Sequence, residues 1–262
     1  MSSGTLSILF RNRGLLLELV KRDVLLRYRG AYLGLIWVLL NPLIMLGVYS
    51  YAFGYLFQLR GNSSTGLPYA LNLYCGLIAF NIFAETVSRA PMAVRNFPSY
   101  VKKIVFPVNL LPIVPLGSAL IHSTFNLVIL TAALAWSGHL SAGLLLYPLF
   151  LIPIVFFALG LGWFFAAWGV FIRDVAQVVP VLVQLSLFLS PVLYPSHIIP
   201  AVIRPISDLN PLAAAIEAQR AAILGTPIAW NGWMLSCLLG ALIAALGYLF
   251  FEHSRDEFAD VM

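Results

Sequence analysis

The sequence predicts an all-α integral membrane protein with six transmembrane helices. Three observations predict it. Of 262 residues, 61% are hydrophobic and only 10% are charged, whereas soluble domains are about 25% charged. A water-soluble globule of this length has too little interior to hide that much apolar surface. Charged residues are absent from 31–59, 61–84, 104–172, 175–203 and 221–251, and a helix crossing the hydrocarbon needs about 20 residues. These runs are continuously apolar, unlike membrane strands, which alternate over about ten residues. The same composition excludes a soluble enzyme, a disordered chain and a nucleic-acid binder.

Residues 1–30 hold the first element. Leu15, Leu16, Leu19, Val20 and Leu26 intersperse with Arg13, Glu18, Lys21, Arg22 and Arg29. This mixture predicts an N-terminal amphipathic helix lying flat at the cytoplasmic interface. No signal-peptide pattern is expected, because Arg11 and Arg13 interrupt the early apolar stretch. Spans follow at about 32–57 and 70–91. Between spans two and three, Ala93 to Pro107 is basic. Pro98 favours a helix start and Pro107 a stop, giving a short cytoplasmic helix of about two turns. A helix that short is marginal alone, so something should pack on it.

The long uncharged run breaks at the polar turn Ser137-Gly138-His139 into spans at about 109–136 and 142–171. Arg173-Asp174 marks the next turn. Asp174 is placed to cap the fifth span, about 175–193, and Arg173 to answer the C-terminal dipole of the fourth. From Pro195 to Gly225 the pattern predicts two short re-entrant outer helices, 198–206 and 211–224. Asn210 supplies an N-cap, Pro211 a first helical position and Gly225 a stop. Glu217 and Arg220 disfavour full insertion. The sixth span is placed at about 230–251.

Orientation comes from Lys and Arg. Twelve lie in the N-terminal segment, the loop after span two, the turn after span four and the C-terminal tail; Arg60, Arg204 and Arg220 lie on the other side. The positive-inside rule makes the basic side, with both termini, cytoplasmic. The net charge of +5 therefore reflects contact with anionic lipid rather than nucleic acid.

Several chemistries lack their residues. The only lysines are Lys21, Lys102 and Lys103, and none follows a glycine, so the chain has no P-loop to wrap phosphates. His122, His139, His197 and His253 show no metal spacing. Cys75 and Cys237 are distant and in apolar surroundings, which suits two small buried hydrophobes. Asn62-Ser63-Ser64 matches a glycosylation sequon, a pattern common by chance. Glu85 is the clearest intramembrane ionisable group, and Arg89 four residues on is placed to pair with it. Phe164, Trp168 and Phe171 share one helical face, as do Tyr49, Phe53 and Phe57. Either stripe suits a lipid belt or packing, or a stacking surface for sugar rings.

The ordered set of short motifs carries a resemblance. Leu19-Val20-Lys21-Arg22-Asp23 is followed by Arg27-Tyr28-Arg29, then Leu33-Gly34-Leu35-Ile36-Trp37 and Asn41-Pro42. Arg95-Asn96-Phe97-Pro98 precedes Lys103-Ile104-Val105-Phe106-Pro107. Phe171-Ile172-Arg173-Asp174-Val175, Ser190-Pro191-Val192-Leu193-Tyr194-Pro195 and Asn210-Pro211 with Arg220 complete it. Over nearly the whole chain this resembles type-2 ABC transporter permeases, particularly the subunits that export O-antigen, capsular polysaccharide or teichoic acid.

The resemblance implies a single permease domain, 1–262, that moves a lipid-linked polysaccharide outward across the bacterial inner membrane. It implies a homodimer with two copies of a separate ATP-binding subunit, which would carry ATP and magnesium; no cofactor is expected on this chain. Arg95, Phe97, Tyr100, Lys102 and Lys103 would lie at ATPase docking. Arg22, Asp23, Arg27 and Tyr28 would lie near the cytoplasmic entrance, and Trp37, Tyr49, Phe53, Phe188 and Tyr194 would line the path. An exporter of a drug, haem or simple lipid would share this fold. A membrane-embedded transferase would need clustered catalytic acids or histidines, which the sequence does not offer.

Overall fold

The structure, a computed structural model, describes residues 11–30, 32–49, 51, 69–101, 106–138, 140–192 and 210–261. Among them there are helices and turns but no strand. In chain order the helices are α1 (Arg13–Tyr28), α2 (Trp37–Tyr49), α3 (Tyr69–Ala93), α4 (Pro98–Val101), α5 (Ile113–Trp136), α6 (Tyr147–Phe150), α7 (Ile152–Phe171), α8 (Val175–Leu189), α9 (Pro211–Leu224), α10 (Trp230–Ser254) and α11 (Phe258–Val261). Short 3-10 turns lead into α2, α5, α6 and α11.

Among the described residues, four stretches are long and apolar enough to cross a membrane: Leu71–Ala93, Val108–Trp136, Ala142–Phe171 and Trp230–Glu257. They cover the runs expected to be the second, third, fourth and sixth spans. The chain turns after α5 at Gly138, whose φ is +72°. In place of the first and fifth runs stand α2, with 13 residues, and α8, with 15. At about 1.5 Å per residue α8 reaches roughly 23 Å, less than the hydrocarbon thickness of about 30 Å. The rest of run 32–57 beyond Tyr51, and all of 198–206, lie outside the described residues.

α3 is the hub of the bundle. Every residue from Leu73 to Phe80 is buried. Helices buried all round sit at the centre of their fold, and α5, α7, α8 and α9 surround this one. α7 and α10 form the closest pair. A Cβ on Gly247 would fall 2.0 Å from the Gly160 carbonyl oxygen, and one on Gly160 would fall 2.4 Å from that of Ile243. Small residues let helix backbones approach in this way.

α1 lies across the start of α5, where Leu19 and Val20 pack on Val114. Its Leu15, Leu17, Leu25 and Leu26 are exposed. α9 has the ends read from the sequence. The Asn210 side chain accepts from the Leu212 amide at 3.0 Å, Pro211 opens the helix, and Gly225 closes it at φ +68°. α9 is tucked in rather than surface-lying, with Leu212, Ala215, Ile216 and Gln219 buried. The expectation for Asp174 is corrected: it occupies the N-cap position of α8, but its side chain makes no capping bond. The carboxylate is exposed to solvent, and its backbone carbonyl accepts from Gln177 and Val178 instead.

Candidate functional site

Four helices, α1, α2, α3 and α5, enclose an open cavity of about 460 Å³. An apolar sequence would not build this wall. α3 contributes Asn81, Glu85, Ser88 and Arg89, α5 contributes His122, Ser123 and Asn126, and α1 contributes Arg27 and Tyr28. Trp37, Asn41 and Pro42 of α2 close the remaining side. Glu85 and Arg89 share a face because they are four residues apart on one helix.

Glu85 is the centre of the charge network. Its Oε1 lies 2.9 Å from Arg27 Nη1 and 3.3 Å from Arg89 Nη1; its Oε2 lies 3.0 Å from His122 Nδ1. Arg89 reaches past Glu85 to Asp23, 2.5 Å away, whose second oxygen accepts from Ser118 at 2.6 Å. Two carboxylates thus face two guanidiniums, and the network joins three helices. His122 Nδ1 is also 2.9 Å from Arg27 Nη1, and Nε2 is 3.3 Å from the Tyr28 hydroxyl. A neutral ring can accept from Arg27 at Nδ1 or donate from Nδ1 to Glu85, but not both. Behind His122, Asn126 donates to its carbonyl oxygen and accepts from Tyr74.

Asp23 sits on α1, outside the apolar spans. Burial acts to raise its carboxyl pKa. Hydrogen bonds from Arg89 and Ser118, with the charges of Arg89 and Arg27, outweigh that and hold it below 3.8.

A second group lies beside this cavity, where α3 ends. Phe97 and Tyr100 stack at 5.7 Å between centroids, and Tyr100 stacks on Phe106 at 4.6 Å. The described part of α4 is one helical turn between these rings. Arg22 places its guanidinium 5.8 Å above Phe97, within cation–π range. Arg95 is half-buried.

A profile of the ABC-2 type transporter family matches residues 14–224. The chain belongs to that family. Full-length relatives agree. An O-antigen export system permease protein RfbA from Myxococcus xanthus is 28% identical over 257 residues, covering 96% of each chain. Another RfbA, from Klebsiella pneumoniae, is 24% identical over 251 residues, covering 95% of each. The polysialic acid transport protein KpsM of Escherichia coli is 26% identical over 209 residues, covering 78% of each.

Within this ABC-2 chain, the residues singled out by sequence divide into three groups. Arg27, Tyr28 and Trp37 line the cavity, and Asp23 is joined to it through Arg89. Arg22 does not join them, turning instead to Phe97. Phe188 lies apart on the exposed face of α8. Tyr49 ends α2, and Lys102, Lys103, Phe53 and Tyr194 lie outside the described residues. Phe164 stacks on Trp168 at 4.9 Å and on Phe250 at 5.0 Å, while Phe171 faces Phe258 instead. The Phe53 and Phe57 stripe lies outside the described residues. Sequence reasoning missed His122 and Ser118. A histidine inside an otherwise uncharged span is itself a signal, and metal-ligand spacing does not register it. Among the described residues no cluster of metal-ligating side chains forms.

Proposed function

We propose that this chain is the membrane subunit of an exporter carrying a lipid-linked polysaccharide outward across the bacterial inner membrane. The observation that carries the reading is its likeness, over nearly its whole length, to permeases named for O-antigen export, joined by KpsM, named for polysialic acid transport. The absence of Gly-Lys from the sequence supports ATP hydrolysis on a separate subunit, where ATP and magnesium would bind.

The working unit is two copies of this chain with two ATP-binding subunits. Each copy crosses the membrane six times, with α2 and α8 belonging to spans one and five and both termini in the cytoplasm. The excess of Lys and Arg at the α1 and α4 end supports that orientation. α1 lies at the interface, its exposed leucines towards lipid. Arg95, Phe97, Tyr100, Lys102 and Lys103 meet the ATP-binding subunit. The cavity at Asp23, Arg27 and Tyr28 forms the cytoplasmic entrance with Arg22 beside it, and Trp37, Tyr49, Phe53, Phe188 and Tyr194 line the path. An uncharged aromatic lining lets a glycan slide without deep binding wells. Nucleotide binding shifts the pair between closed and open populations.

Deleting the gene for this chain tests the reading. Undecorated surface and lipid-linked glycan held in the cytoplasmic leaflet are expected. Normal surface glycan in the deletion strain contradicts it.

A further inference from the structure

α10 and α11 lie beyond the residues that the family profile covers, and the end of α10 packs with α11 against the residues on either side of α4. Val94, Val108 and Leu111, which flank α4 in sequence, share one buried cluster with Phe251 and Phe258. Phe97 and Phe106 pack at its edge. Phe258 is completely buried, with its ring 5.3 Å from Phe251 and 5.9 Å from Phe171. A helix of four residues does not stand alone, so this burial is what seats α11.

A polar clamp ties the same two segments. Asn109, at the start of α5, donates from Nδ2 to Glu252 Oε2 at 2.6 Å and to the Tyr248 hydroxyl at 3.2 Å. Its carbonyl oxygen accepts from Trp163 Nε1 on α7 at 3.2 Å. Arg255 Nη1 holds the other Glu252 oxygen at 2.7 Å. The residues before and after α4 are therefore held to α7, α10 and α11, by apolar contacts on both sides and by hydrogen bonds at Asn109.

We propose that α10's end and α11 form a buttress for the α4 segment, with Phe258 and Glu252 as its positioning residues. The buttress makes a push on α4 move α7 and α10 instead of flexing the loop. Close-packed interiors transmit displacement. This rests on the docking role given above to α4.

The test uses the full chain with its ATP-binding subunit in proteoliposomes, scored as glycan exported per ATP hydrolysed. For F258A, assembly and basal hydrolysis are expected to persist while export per ATP falls roughly 3- to 30-fold. F258L, which refills most of the space, restores it. E252A uncouples, whereas E252Q keeps an oxygen acceptor for Asn109 and stays coupled. If F258A fails to insert, the contrast between E252A and E252Q decides. Export per ATP at the wild-type level in both F258A and E252A overturns the buttress alone. A wild-type chain that binds no ATP-binding subunit overturns the docking reading and the buttress with it.

Discussion

Glu85 shows how much one carboxylate organises. It pairs with two arginines and lies 3.0 Å from a histidine, the three on different helices, so replacing it strands charges that are partly withdrawn from water. Glu85→Gln is expected to loosen α1 from the bundle and to lower export, with membrane insertion unchanged; limited proteolysis of α1 reads the first effect. Asp23 gives a pH prediction with a definite sign. Its folded-state pKa is depressed below 3.8, so its contribution is complete above the unfolded value and is lost as pH falls through the folded one. Spin labels on α1 and α5 should keep one distance from neutral pH down to mild acid and separate only once the pH falls below the ordinary carboxylate range. In Asp23→Asn that acid step should vanish. The Glu85–Arg89 pair was legible in the sequence because its spacing is local. The Arg89–Asp23 and Glu85–His122 contacts were not, because they join residues 66 and 37 positions apart, and only the packing of α1 and α5 on α3 brings them together.

Helix ends and seams carry the next level. α9 was readable to the residue, because caps, a first-turn proline and a closing glycine act within a few residues of chain. Its tertiary seat was not. Arg220 donates to the Pro191 and Val192 carbonyls just past the end of α8, a contact that no local pattern announces. That guanidinium fits because Gly76 has no side chain: a Cβ there would lie 2.8 Å from Arg220 Nη2. Gly76→Val should displace Arg220, cost about 1–3 kcal/mol through overpacking, and show as a lower melting temperature in detergent. The α7–α10 seam is stricter, because backbone faces backbone. Gly247→Leu is expected to cost at least as much, about 3 kcal/mol, and to cut the yield of folded protein. A melting temperature unchanged from wild type would contradict the close approach at Gly160.

At the scale of the whole molecule, the chain is an all-helical member of the ABC-2 transporter family among its described residues. Among the described residues four stretches have the length of a membrane crossing, while α8 is shorter and carries an exposed apolar face that includes Leu182 and Phe188. Composition revealed the membrane class at once, since a chain with only 10% charged residues leaves an apolar surface that lipid covers and water does not. It could not reveal that α8 ends at Leu189, because charge-free runs mark where a helix is allowed to cross and not where its hydrogen bonding stops. The central claim is that this permease is a passive conduit driven by nucleotide hydrolysed on another chain. The most direct measurement reconstitutes the chain in liposomes, alone or with its ATP-binding subunit, and follows glycan movement under ATP or under an ion gradient. Movement only with the subunit and hydrolysable ATP is the predicted result. Full transport by the chain alone, powered by the gradient, would contradict it.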